Sequence, residues 1–180
     1  GVYQTDALLK MLSVLDNDVS IDLVKAEEKA ISLDAKDSGA KVRYMLSDLS
    51  VINTPPQLKQ IPEFELLLNV DKTFVSKFIS GKGALPDTES FTIVSGDNPE
   101  VVIGYSSIAT NRVAVPVQNQ TDNTIDNISF NANLFKDVLE ANKECEAAVL
   151  EVSSEGLARI TFNVGDYEST YYLVAVQNVN

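Results

Sequence analysis

The chain has 180 residues, 44% of them apolar and 22% charged, which suits one or two ordinary globular domains with a sizeable core. Fourteen basic against 26 acidic side chains give a formal charge of −12, which excludes nucleic-acid binding through overall positive charge but leaves room for a local basic patch. Histidine is absent and Cys145 is the single cysteine, so Ser-His-Asp and Cys-His catalysis, histidine-held metals, internal disulfides and cysteine-rich zinc sites are excluded. There is no apolar run long enough to span a bilayer and no basic-then-apolar leader, so the expectation is a cytoplasmic protein without membrane contact.

Residues 5–15 form the first amphipathic stretch, with Leu8, Leu12 and Leu15 on one side and Lys10 and Ser13 opposite, the spacing of a helix. Short alternating runs at 19–24, 30–34 and 41–47 read as strands, with a turn at Asp37-Ser38-Gly39. Residues 51–62 contain Pro55, Pro56 and Pro62 and read as an extended, stiffened linker, the best domain boundary in the chain. A strand at 64–69 leads into a helix at 71–80, whose inner face is Phe74, Val75, Phe78 and Ile79 and whose outer face is Thr73, Ser76, Lys77 and Ser80. Lys72 stands in its first turn, and Lys82 falls nearer the apolar side of the wheel. Gly81-Lys82-Gly83 is too short for a phosphate loop and reads as a helix C-terminal cap. Strands at 91–94, 101–106 and 112–117 follow, then an Asn/Thr/Gln-rich stretch at 118–126 that reads as a surface crossover. A strand at 127–131 precedes a third helix at 133–143, with Leu134, Phe135, Val138 and Leu139 inward and Lys136, Glu140 and Lys143 outward. Strands at 147–152, 157–164 and 170–176 close the chain. Capping residues stand near each helix start: Thr5 or Asp6, Asn69 or Asp71, Asn131 or Asn133.

The order is strand–helix–strand–strand–strand, three times, at a period of about 60 residues. The first copy has only Val2 and Tyr3 before its helix. The fold expected is α+β, built from βαβββ units with antiparallel sheets and helices on one face. The Asp16-Asn17-Asp18 run has Ile21 where a calcium loop needs glycine, and reads as a helix-to-strand loop. Cys145 is flanked by Glu144 and Glu146, whose negative charges disfavour a reactive thiolate. No pair of acids is set for carboxylate catalysis, so no enzyme is expected.

A helix with a small antiparallel sheet, repeated at this period, is the building unit of DNA sliding clamps. The chain resembles the clamp of T-even-type bacteriophages in the run Thr5-Asp6-Ala7-Leu8-Leu9-Lys10-Met11-Leu12-Ser13-Val14-Leu15 with the residues 16–21 after it. It does so again in the helix at 71–79 and in the closing run Thr170-Tyr171-Tyr172-Leu173-Val174-Ala175-Val176. The resemblance implies a DNA polymerase processivity factor without catalysis or cofactor. Such a protein encircles duplex DNA irrespective of sequence, tethers the replicative DNA polymerase and is opened by a clamp loader. It is a homotrimer when full length and works in the cytoplasm of an infected bacterial host. Residues 1–50 would then be the second half of an N-terminal clamp domain, its first half absent, with 51–62 the interdomain connector and 63–180 the C-terminal domain. The implied DNA-facing residues are Lys10, Lys72, Lys77, Lys136 and Lys143. The implied groove for partner tails comprises Val51, Ile52, Pro55 and Leu58 from the linker with Val174, Ala175 and Val176 from the chain end. The competing reading is a non-enzymatic phage structural or protein-binding module, which would carry neither aligned helical lysines nor an apolar anchor in the linker.

Overall fold

The first repeat has little to bury. In the computed structural model, which describes residues 1–16, 18–53, 60–106 and 110–176, it forms a unit of its own, Gly1–Lys59, and Gln60–Asn180 form the second. Helix α1 (Thr5–Leu12) precedes an antiparallel meander of β1 (Ser20–Ala26), β2 (Lys29–Lys36) and β3 (Lys41–Met45). Its buried cluster is Leu15, Ala35 and Val42, with Met11, Leu12, Leu33 and Ala40 packed against it. The helix ends at Leu12, three residues short of expectation. Val14 and Leu15 turn back onto Met11 and Leu12 through i→i+3 hydrogen bonds, a tightening that drops Leu15 into the core. Gln4 occupies the N-cap without a side-chain bond, in place of the expected Thr5 or Asp6. The first residues form no strand, but Gly1 and Ser47 exchange both backbone hydrogen bonds, at 2.7 and 2.9 Å.

Asp37 ties this unit's loops together. Its carboxylate accepts from the backbone N–H of Asp16 (2.8 Å), Gly39 (2.8 Å) and Ala40 (2.6 Å). Those donors, the Asp16 N–H foremost, hold its carboxyl below its ordinary value of 3.8.

In the second unit two repeats interlock. The first is β4 (Leu66–Asp71), α2 (Lys72–Ala84), β5 (Ser90–Val94), β6 (Glu100–Ile103) and β7 (Val113–Pro116). The second is β8 (Ile128–Asn131), α3 (Ala132–Ala141), β9 (Ala147–Val152), β10 (Leu157–Val164) and β11 (Tyr167–Val174). Each leading strand joins the other repeat's sheet. The orders are β11-β10-β9-β4 and β7-β6-β5-β8, all antiparallel, with Val70 opposite Ala148 and Phe130 opposite Phe91. On its outer side each leading strand bonds the tail of its own repeat: Asn69 N–H to the Gln118 carbonyl at 2.9 Å, and Val176 N–H to the Ser129 carbonyl at 2.8 Å. A pseudo-two-fold axis therefore relates the repeats.

The stretch at 118–126 is the exposed crossover expected between β7 and β8, and it also bonds a strand edge. Gln120 N–H also bonds the Leu67 carbonyl (2.8 Å), Asn119 accepts from Leu67 N–H (3.2 Å), and the side-chain amides of Asn69, Gln118 and Gln120 link to one another. The cluster's asparagines and glutamines serve as backbone partners for a strand edge.

Both helices of this unit are capped at the residue ending the leading strand. Asp71 accepts from Phe74 N–H at 2.7 Å and Asn131 from Leu134 N–H at 2.9 Å. Phe74 and Phe78 of α2 meet Phe135 of α3, which stacks on Phe91 with ring centroids 4.8 Å apart, and Phe130 adjoins Phe91. Gly81-Lys82-Gly83, expected as a cap, lies inside α2, which runs on to Ala84. Gly81 lets the helix approach β7: a Cβ there would sit 2.8 Å from a Val113 methyl. Lys82 is 4% exposed, as its place on the wheel implied, and its Nζ donates to the carbonyls of Pro86 (2.8 Å) and Leu85 (3.4 Å). The third helix ends at Ala141, where Asn142 donates to the Val138 carbonyl (2.8 Å) and the Tyr171 hydroxyl (3.2 Å).

Two outcomes follow. Phe135→Ala empties a site touched by both repeats and should destabilise the second unit by about 3–5 kcal/mol, read as a lowered urea midpoint. Because Asp37's folded value lies below its unfolded one, its contribution is present above about pH 4 and is lost as pH falls through the folded value. Backbone NMR signals of the first unit should weaken on acidification in the wild type, whereas Asp37→Ala should already show that weakening at neutral pH and respond less to acid.

Candidate nucleic-acid interface

Helices α2 and α3 lie side by side, α2 packed on β4 and β7 and α3 on β5 and β8. Their outer faces differ in charge. Between Lys72 and Ala84 there is no acidic residue, and the exposed side is Thr73, Ser76, Lys77 and Ser80. The exposed side of α3 is Asn133, Leu134, Asp137 and Glu140.

The five candidate lysines fall into two groups. Lys10 and Lys77 are exposed on α1 and α2, and Lys143 is exposed in the turn beyond α3 rather than on the helix expected to carry it. Among the described residues none of these three makes an ion pair. Lys72 instead meets Glu146 at 2.5 Å, and half-buried Lys136 meets Glu140 one turn on at 2.7 Å. The Lys72–Glu146 contact spans 74 positions, so only the Lys136–Glu140 pair is legible in the sequence, as an i,i+4 spacing. Lys10 belongs to the first unit and Lys77 to the second.

An open cleft of about 470 Å³ lies beside the start of α2, with Asn69, Thr73 and Lys77 at its rim and Phe74, Val115 and Val117 forming its apolar wall. Asp71 also lines it, but that carboxylate is engaged in capping α2. In the first unit a second cleft is lined by Asp34 and Arg43, joined by a two-point contact at 2.6–3.1 Å. The Arg43 guanidinium holds the Asp34 carboxyl below its ordinary value. No described group of three or more acidic, histidine or cysteine side chains is placed to hold a metal ion.

The linker and chain-end residues of the implied partner groove belong to different units. Val51 ends a short 3₁₀ turn, Leu49–Val51, capped by Asp48, and is exposed; Ile52 follows it half-buried. Pro55 and Leu58 lie outside the described residues. In the second unit Val174 is 72% exposed at the end of β11, Ala175 packs on the core and bonds the Gly156 carbonyl, and Val176 bonds Ser129.

No protein-family model and no curated protein sequence matches the chain. Among solved structures it is similar to the proliferating cellular nuclear antigen of Entamoeba histolytica, with a TM-score of 0.67 and 16% sequence identity over 96% of this chain and 70% of that one. At that identity the likeness establishes the fold: the chain has the α+β architecture of a DNA clamp. No described helix is long and apolar enough to cross a membrane.

Proposed function

We propose that this chain is a sliding clamp, a non-enzymatic processivity factor that surrounds duplex DNA and tethers a replicative DNA polymerase. Such a protein works by topology and effective concentration: the polymerase stays near the template because its anchor cannot leave, not because the anchor grips tightly. The observation carrying the reading is the clamp fold together with a helix, α2, that bears lysines and no acid on a body of charge −12. An acidic body repels phosphate everywhere else and confines contact to the helical face. In the finer form of the reading, residues 1–50 are half of an N-terminal clamp domain, 51–62 the connector and 63–180 the C-terminal domain. Lys10, Lys72, Lys77, Lys136 and Lys143 face the duplex, and the linker and chain-end residues receive the tails of polymerase and clamp loader. The full-length protein is a homotrimeric ring of phage origin acting in the infected bacterium.

Fluorescence anisotropy with a short labelled duplex tests the interface. Binding should be weak, indifferent to sequence, and weakened by salt. Lys77→Glu should lower the slope of log K against log salt by about 0.9, the value for one lost phosphate contact, whereas Glu140→Gln, which releases Lys136, should tighten binding. A slope unchanged by Lys77→Glu would remove α2 from the interface.

A further inference from the structure

We propose that the second unit holds a duplex off its own pseudo-two-fold axis: α2 attracts the phosphates, the carboxylates of α3 repel them, and the DNA lies nearer α2. The inference rests on the clamp reading and narrows it to one helix of the pair.

The symmetry makes the two helices equivalent in position. Each is capped by the last residue of its leading strand, Asp71 for α2 and Asn131 for α3, so equal distances from the cap define equivalent sites. Six residues beyond the cap stand Lys77 and Asp137, and nine beyond it Ser80 and Glu140, all four exposed. Among the described residues neither Lys77 nor Asp137 makes an ion pair. A free cation on α2 therefore stands where α3 has a free carboxylate, and a neutral hydroxyl stands where α3 has a second acid. Three residues beyond the cap, Phe74 is 4% exposed and Leu134 is 57% exposed. That leucine presents α3 with apolar surface that donates nothing to a phosphate. The fold is symmetric and the charge is not.

The lysines on the α3 side do not offset its acids. Lys136 is half-buried and bound to Glu140, and Lys143 is followed by Glu144 and Glu146. On the α2 side Lys72 shares Glu146, Lys77 is unopposed, and no acid lies between Lys72 and Ala84. A duplex laid across the symmetry axis would meet both helices alike, and the attraction of Lys77 would be cancelled by repulsion from Asp137 at the matching place. Moving the duplex toward α2 keeps the first and sheds the second. The displacement needed is small. Exposed charges act over about 10 Å at 0.1 M salt, and packed helices lie about 8–10 Å apart, so a shift of one helix spacing takes the phosphates largely out of range of the α3 carboxylates.

Photo-cross-linking from equivalent sites tests the geometry. Two full-length forms carry Cys145→Ser with either Thr73→Cys or Asn133→Cys, exposed sites two residues beyond their caps, and a photoreactive probe on the introduced thiol. With a labelled mixed-sequence duplex at low salt, the Thr73→Cys form should cross-link several times more than the Asn133→Cys form. Adding Asp137→Lys, which makes α3 resemble α2, should bring the two yields together and steepen the fall of log K with log salt by about 0.9, the value for one added phosphate contact. Equal yields from the two forms, or a larger yield from Asn133→Cys, overturn the inference, while salt-dependent binding in the same experiment leaves the clamp reading in place. A duplex that neither binds nor cross-links removes the clamp reading and this inference with it.

Discussion

The exchange of leading strands is the constraint on which the second unit depends. A strand at the edge of a sheet leaves a row of backbone donors and acceptors without partners, and burying such a row is costly. β4 meets that requirement with β9 on one side and the tail after β7 on the other; β8 does so with β5 and the tail after β11. Each repeat therefore needs its sibling's strand to finish its sheet and its sibling's helix to cover it. The Phe74, Phe78, Phe91, Phe130 and Phe135 cluster sits where those dependencies cross and draws rings from both repeats. Neither repeat has a separable core, so the unit should fold cooperatively.

Equivalent positions in the two repeats solve the same problem with different chemistry. At and just beyond the C-terminal ends of α2 and α3, backbone carbonyls take side-chain donors. Lys82 extends a buried stem and donates to Leu85 and Pro86, while Asn142 reaches back to Val138 and sideways to Tyr171. On the outer face of the sheet containing β9 and β10, Arg159 stacks over Phe64 with its guanidinium 4.7 Å from the ring centroid while holding Glu151 by two contacts. Geometry is kept where side-chain identity is not, which is why the repeats share pattern without sharing sequence.

Much of the fold was legible in the sequence for a local reason. The strands at 147–152 and 157–164 have the bounds their sequence indicates because turns rich in Ser, Glu, Gly and Asp bracket clean alternation. The helices were legible through their apolar stripes, and their ends less so: α1 stops early because its last turn tightens, and α2 runs past two glycines because Gly81 fits against Val113. What stayed hidden was non-local. Pairing of residues 118–120 with β4 spans some fifty positions, and polar composition alone reads as a loop. The same limit applies to the candidate interface. The outward direction of Lys10 and Lys77 follows from helical period, but the pairing of Lys72 with Glu146 depends on a contact that no period encodes.

That pairing bears on how a sliding contact could work. An exposed ion pair contributes little, about 0–1 kcal/mol, because water and salt compete for both partners. Lys72 and Glu146 are 56% and 84% exposed at the side chain, so releasing this lysine to a passing phosphate costs little. A carboxylate that stays beside the lysine also keeps the net attraction shallow. Strong, unopposed cations would bind DNA tightly at fixed positions, and each step along the duplex would then require breaking them together. Under the proposed function, free Lys77 together with tempered Lys72 and Lys136 would offer phosphate contacts that are individually weak, a charge pattern suited to holding a duplex loosely while topology, rather than affinity, prevents escape.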